Sequence, residues 1–427
     1  MYRITLMVSV ASISLYLDQA KASVVDTYGI SPRSVALGNA ATAGGDRAYA
    51  AYANPASLTN QDGTSVSVGY QLTKLNLKDL NDSSTDDQSG LPRSSYRASQ
   101  ASPLTGTNFG LNLALSPAFH FGVAAYLPSD NFGQLSGSAP NELNYLRFAN
   151  RQQRPAIYTA FAARWHSFSI GIGSYYTLRA KGSLDMALNN KASAARFNLD
   201  MVPVLTPYGG LQWRQETSSG FWSLGASYRA AQETESKIDT RLAVGATGDD
   251  SSLTIPVTLQ TRLVPFYDPE IFKLGFALRN GSIGFYTSIE WSRWSGFEAP
   301  LVYLDGEDIA SLTQTPPGSN LSLDDTWSYR FGFAYQLTSF SELALRLGIE
   351  HHESANQSTG QEKVVDLNRT VIAMGAGLKV FESSLPEGRS AYLDICAQHS
   401  FLDEERLTIT GSKVGGSTDT FLGGGSL

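Results

Sequence analysis

A single cysteine, Cys396, stands in 427 residues, which excludes an intramolecular disulfide framework and any multi-cysteine metal site. No apolar run approaches the ~18 residues of a membrane-spanning helix, so a helical membrane protein is excluded. Basic charge is not in excess: 32 Lys and Arg against 39 Asp and Glu give a net charge of −7. No basic stripe gathers anywhere, and no nucleic-acid partner is expected. There is no H-E-x-x-H, no G-x-S-x-G and no phosphate loop ending in Gly-Lys-Ser/Thr, so neither an enzyme nor a cofactor is expected. His351 and His352, between Glu350 and Glu353, are neighbours on a strand pattern and fall on opposite faces. Asp79, Asp82, Asp86 and Asp87 lack the fixed Gly and terminal Glu of a calcium loop. A polar strand edge and a solvated loop are the better readings, and no metal site is expected.

What is present is aromatic and alternating. Phe, Tyr and Trp make up 11% of the chain, a content that suits strands and interfacial belts. Residues 1–22 read as a secretory signal, with Arg3, an apolar core over 4–17 and Ala20-Lys21-Ala22 as the cleavage site. Gly29–Thr59 follows, rich in Ala and Gly, with Pro32 near its start and the turn Asn54-Pro55-Ala56 near its end. It keeps neither a period of two nor a sustained period of 3.6. We read residues 23–63 as a compact plug and 64–427 as the unit that encloses it.

Beyond the plug, period two dominates. Leu343, Leu345, Leu347 and Ile349 alternate with Ala344, Arg346, Gly348 and Glu350, and the same alternation runs through 168–181, 272–279, 327–337 and 372–379. A soluble sandwich and a membrane barrel both produce such a pattern. The polar faces decide between them: they carry mostly Gly, Ala, Ser and Tyr with isolated charges, where a solvated sheet would show more Lys, Glu and Thr. Aromatics near strand ends, such as Trp291 and Trp294, Trp327 and Tyr329, and Tyr175 and Tyr176, suit an interfacial girdle. Fourteen candidate strands, from 64–77 to 417–427 and including 221–239 and 282–304, are joined by links that alternate short and long. Tight turns at one rim and long loops at the other are the habit of outer-membrane barrels, and place both chain ends on the periplasmic side. No second domain and no repeat beyond the hairpin period is visible. The fold class is an all-β, fourteen-stranded antiparallel transmembrane barrel holding an N-terminal plug.

Several segments resemble one family. Gly29–Thr59 resembles the hatch of the outer-membrane long-chain fatty acid and hydrophobic-compound transporters, the FadL group, with its Asn-Pro-Ala turn at Asn54, Pro55 and Ala56. FHFGVAAYLPS at 119–129, IEWSRWSGF at 289–297 and LDDTWSYRFGFAYQL at 323–337 are similar to the family's strands in order and spacing. The chain departs from such barrels at Gly-Ser-Leu427, where an aromatic residue is usual. The resemblance implies uptake of long-chain fatty acids by passive diffusion, with Arg179, in an Arg-Ala-Lys segment, meeting the ligand head group. It also implies an inward kink in the third strand, with a lateral opening at Gly122 and Pro128. The expected partners are a hydrophobic ligand and the surrounding outer-membrane lipids and lipopolysaccharide, with the barrel a monomer. A non-specific porin and a structural or secretion-associated barrel that binds a protein are the competing functions. The apolar clusters NYLRF at 144–148 and LVPFY at 263–267 favour the channel for hydrophobic molecules.

Overall fold

The computed structural model describes residues 23–77, 103–129, 144–148, 154–189, 192–245, 254–297, 323–337, 343–356, 364–380, 390–406 and 413–426. The signal segment and the acidic stretch 78–90 lie outside these residues. The first strands are β1 (Ser65–Leu77), β2 (Leu104–Ala114), β3 (Phe119–Pro128), the short β4 (Asn144–Tyr145), β5 (Ala156–Trp165) and β6 (Phe168–Asn189). The middle of the chain forms β7 (Ala192–Thr217), β8 (Gly220–Arg229), β9 (Gln232–Gly245), β10 (Thr254–Asp268), β11 (Glu270–Asn280) and β12 (Ile283–Arg293). The last third forms β13 (Thr326–Leu337), β14 (Leu343–His352), the short β15 (Val364–Val365), β16 (Arg369–Val380), β17 (Ala391–Arg406) and β18 (Lys413–Ser426).

Fourteen of these close on themselves. The order runs β6-β5-β3-β2-β1-β18-β17-β16-β14-β13-β12-β11-β8-β7, and β7 pairs back onto β6. Every neighbouring pair in this ring is antiparallel. Closure leaves the ring without an edge strand, which a bilayer demands. The period-two faces fall as expected. Leu345 is 45% exposed on the outside while Arg346 beside it is 7% exposed on the inside. His351 and His352 likewise part, the first exposed and the second buried.

Residues 23–60 fill the lumen. Ser23 caps α1 (Val24–Tyr28) by accepting from the Val25 amide, and Gly29 at φ 86° ends it. Ser31 and Pro32 open α2 (Pro32–Ala36). After α3 (Ala50–Ala53) the Asn54-Pro55 turn leads into a 3-10 stretch ending at Asn60. Nearly all of this segment is buried. The wall makes room for it with inward glycines. A Cβ at Gly225 or Gly275 would meet Thr42 and Ala43, one at Gly332 would meet Leu37, one at Gly348 would meet Leu37 and Gly38, and one at Gly171 would meet Pro55 and Ala56. The Gly-rich polar faces in the sequence are therefore a belt of seats for plug backbone.

Four expectations need correction. The strand expected at 221–239 ends at Arg229, where its partner β7 reaches Pro207, a residue without an N–H. The chain then leaves the wall as the β9–β10 hairpin, inside what the sequence suggested was a long link. Trp294 and Tyr175 are buried, in the loops and the lumen respectively, so they do not join a girdle; Trp327, at 44% exposure, can. Ser23 does not sit at the short-turn rim: Val24 and Val25 pack in the lumen with Phe148, Val365 and Leu402.

Candidate functional site: the plugged lumen

The plug is fastened by specific bonds at each of its turns. Asn54, fully buried, accepts from the Ala56 amide through its carboxamide oxygen (3.1 Å). Its amide nitrogen donates to the carbonyls of Thr42 in the plug (2.9 Å) and Leu211 in the wall (3.2 Å). Hence the Asn-Pro-Ala turn: Asn supplies both donor and acceptor, and Pro presets the following bend. The orphan carbonyls at the end of α1 receive wall donors, Arg369 to Thr27 (2.7 Å) and Gln398 to Tyr28 (3.1 Å). Gln212 and Ser223 both donate to the Ala43 carbonyl (2.6 and 2.7 Å).

Charged groups inside the wall are paired. The Arg229 guanidinium grips both oxygens of Asp26 in α1 (3.0 and 2.8 Å) and donates to the Tyr158 hydroxyl (3.0 Å). Such a fork is stronger and more directional than a single bond. Arg330 bridges Glu290 (2.7 Å) and Glu350 (2.6 Å), Lys273 joins Glu290 (3.0 Å), and Asn39 of the plug donates to Glu350 (3.2 Å). This ladder crosses β11, β12, β13 and β14 and ties the plug to it. Near the long-loop rim Arg147 pairs with Asp366 (3.2 Å), and Arg154 with Asp268.

Burial shifts the plug's own ionisable groups. Asp46 is pushed above the usual carboxylate range by burial, against the pull of Arg33 and a bond from Ser31. Burial likewise raises the Tyr49 hydroxyl to about 12. In the loops, burial raises Asp366 in spite of Arg147.

Beside α1 the lumen is apolar and aromatic. Tyr28, Tyr126, Tyr158, Tyr175 and Tyr208 gather with Phe148, Leu104 and Leu367 in one buried cluster. Tyr158 stacks on Tyr175 at 4.5 Å and meets Tyr52 and Tyr208 edge-on at 5.1 and 5.8 Å. A second cluster, Leu146, Tyr267, Trp294, Phe297, Leu323 and Ala355, covers the rim. The short parallel pair β4–β15 joins the two. Two cavities lie between plug and wall around Tyr52 and Lys273, each of about 20 Å³, room for a single water.

The sequence-derived site residues fare differently. Asn54, Pro55 and Ala56 sit at the plug–wall junction. Leu146, Phe148 and Tyr267, from the two apolar clusters, are buried at the rim. Arg179 lies on β6 opposite Val202, and its side chain is outside the described ones. Gly122 faces inward against Leu58 of the plug. β3 keeps one register with β2 over 120–128 and with β5 over 119–126, without a bulge. No break occurs at Gly122. The pairing with β5 ends at Tyr126 and Ala156, two residues short of Pro128 and next to Pro155. The Asp26–Arg229 fork and the tyrosine cluster were not anticipated, because their members lie far apart in the chain and no local pattern links them. Among the described residues no group of His, Cys, Asp and Glu is placed to hold a metal ion.

Comparison with known proteins gives consistent likenesses. Residues 210–386 match the profile of the outer membrane protein transport protein family (OMPP1/FadL/TodX). Alkane uptake protein A of Marinobacter nauticus is 22% identical over 424 residues, covering 93% of this chain and 88% of that protein. Among solved structures, a Pseudomonas aeruginosa FadL homologue superposes with a TM-score of 0.56 at 16% identity, covering 96% of this chain and 98% of the other. The P. putida toluene transporter TodX superposes with a TM-score of 0.54 at 14% identity, covering 92% and 97%. At these identities the solved structures speak for the fold.

Proposed function

We propose that this chain, which belongs to the OMPP1/FadL/TodX family of outer-membrane transport proteins, admits long aliphatic molecules of low polarity, with alkanes as the principal class. It resides in the outer membrane of a Gram-negative cell and is a channel for hydrophobic compounds, not an enzyme. The observation that carries the aliphatic reading is the tyrosine-walled apolar cluster beside α1, whose described cations already have partners. Arg229 is held by Asp26, Arg369 by the Thr27 carbonyl, Arg147 by Asp366 and Arg154 by Asp268. Three of these guanidinium groups are already neutralised by a carboxylate and so offer a ligand head less than a free cation would, whereas an alkyl chain gains ~0.8 kcal/mol per buried methylene without any polar contact. The curated relative is an alkane uptake protein. Long-chain fatty acids are the second reading, supported by the likeness of Arg179-Ala-Lys181 to the family's segment.

In this reading the ligand is collected at the rim cluster of Leu146, Tyr267 and Trp294 and moves to the tyrosine cluster as α1 shifts. It leaves sideways beside β3, at Leu127–Pro128, where pairing with β5 has ended. No energy source is involved, since the ligand passes between apolar environments. The test is uptake of radiolabelled hexadecane, palmitate and toluene by cells that express the protein against cells that lack it. Accelerated hexadecane uptake is expected, with palmitate slower. Equal rates for all three ligands in both cell types would overturn the reading, and mass spectrometry of lipid extracted from the purified protein identifies what it retains.

A further inference from the structure

Two links that leave the wall far apart meet over the lumen. The link from β3 to β5 carries β4, and the link from β14 to β16 carries β15. Between β3 and β16 the ring places β2, β1, β18 and β17. That step is five strand spacings, roughly 24 Å along the wall at ~4.8 Å each. Even so, Asn144 and Tyr145 pair in parallel with Val364 and Val365, and the Leu146 amide donates to the Val365 carbonyl (2.9 Å). Segments rooted so far apart on the wall meet by reaching across the mouth. The pair is a strap over the outer end of the barrel.

One ion pair fastens it. Arg147 Nη2 lies 3.2 Å from Asp366 Oδ2 and donates to the Glu353 carbonyl (3.1 Å), and the guanidinium is 5.4 Å from the centre of the Trp294 ring. The same Asp366 oxygen accepts from the Ala355 amide (2.7 Å), while Ser354 Oγ donates to the Asp366 carbonyl (2.8 Å). Three links thus meet at one arginine. Its hold on Asp366 is a single contact, weaker than the two-pronged grip of Arg229 on Asp26. β4 and β15 add only two residues each. Little has to break for the strap to lift.

Its position gives lifting a consequence. Leu146 belongs to the rim cluster with Tyr267 and Trp294, whereas Phe148, Val365 and Leu367 belong to the tyrosine cluster with α1. These four strap residues are 2% exposed or less, so they leave no path for an alkyl chain between the clusters at this point. An apolar ligand entering here replaces the contacts that Leu146 and Phe148 give up. The net cost of lifting is then chiefly the latch and a few backbone bonds.

We propose that the strap formed by 144–148 and 364–367 is a lid that the ligand lifts between the rim cluster and the tyrosine cluster, with Arg147 and Asp366 as its latch. The inference rests on the transport reading above and adds a moving part outside the plug. The test locks the lid covalently. Tyr145 and Val365 are register partners, and strands ~4.8 Å apart lie within the Cα separation that a disulfide spans. Tyr145→Cys with Val365→Cys is made in a Cys396→Ala background, which removes the chain's one other thiol. On oxidation its hexadecane uptake should fall at least about tenfold and return on reduction, while wild type responds to neither reagent. A disulfide confirmed by peptide mass spectrometry, with uptake as fast as in the reduced form, overturns the lid. So does failure of the bond to form in a folded, heat-modifiable barrel, because the two segments would then not be neighbours. A second measurement reads the latch without transport. Leu146→Cys in the same background should react with a water-soluble maleimide at least about tenfold faster once Arg147→Met is added. Equal labelling rates overturn the latch. If wild-type cells take up hexadecane no faster than cells lacking the protein, the transport reading falls instead, while the maleimide rates still decide whether the strap lifts.

Discussion

The carboxamide oxygen of Asn54 occupies the space that a Cβ on Gly210 would need. The plug's Asn-Pro-Ala turn and the wall's missing side chain are thus two halves of one contact, although 156 residues separate them by their numbering (210 − 54). Gly210→Ala should push Asn54 from its bonds to Thr42 and Leu211. Asn54→Ala should remove those bonds and leave buried partners unmet, at about 1–3 kcal/mol of plug seating. Both variants should still form a heat-modifiable barrel, with the plug cut by added protease and small polar solutes leaking through. A plug as protected as wild type in both variants would refute the contact's role.

The fork between Asp26 and Arg229 pins α1 to the end of β8. Breaking a buried pair by removing one partner costs about 3–5 kcal/mol, because the other charge stays behind. Asp26→Asn should therefore free α1 and speed the passage of a hydrophobic dye. The double change Asp26→Asn, Arg229→Met should recover stability without the restraint. Identical dye flux in wild type and Asp26→Asn would show that α1 is not the moving part.

Leu345 and Arg346 test the facing of the wall. Leu345→Arg places a charge toward lipid and should cost about 2–4 kcal/mol near the midplane. Arg346 is paired with Asp394 at 2.6 Å, so Arg346→Leu alone should also destabilise, and Arg346→Leu with Asp394→Leu should restore much of the loss. Urea unfolding in lipid vesicles measures all three. Additivity of Arg346→Leu with the single change Asp394→Leu, measured alongside them, would argue against the pair.

Asp46 predicts a pH dependence confined to the plug. Burial raises its folded-state pKa above the ordinary value. Its contribution is fully present below the unfolded value of about 3.9 and is lost as pH rises through the raised folded value. Plug seating should weaken over that upward range, and Asp46→Asn should flatten the slope. Hydrogen-exchange protection factors for the Asp46–Tyr49 amides across a pH series check the sign; protection that grows with pH would contradict it.

Much of this architecture was legible in the residues themselves. Strand alternation is a local property: each residue's neighbours two positions away disclose which face it shares, so Leu345 and Arg346 were sorted before any strand was placed. Fourteen wall strands followed from the spacing of turns, and the plug from a stretch that kept no period. Three things needed the tertiary structure. The inward glycines read as a composition until Leu37, Thr42 and Pro55 were seen resting on them. The charges read as isolated until β11 to β14 brought Lys273, Glu290, Arg330 and Glu350 side by side. The β9–β10 hairpin read as a long link, because its partner on β6 is parallel and lies 56 residues away in the chain (238 − 182). Alternation reports which side of a strand a residue takes and carries no information about which strand lies next to it. That second choice is made by closure of the wall and by the fit of the plug, both of which depend on all the strands at once.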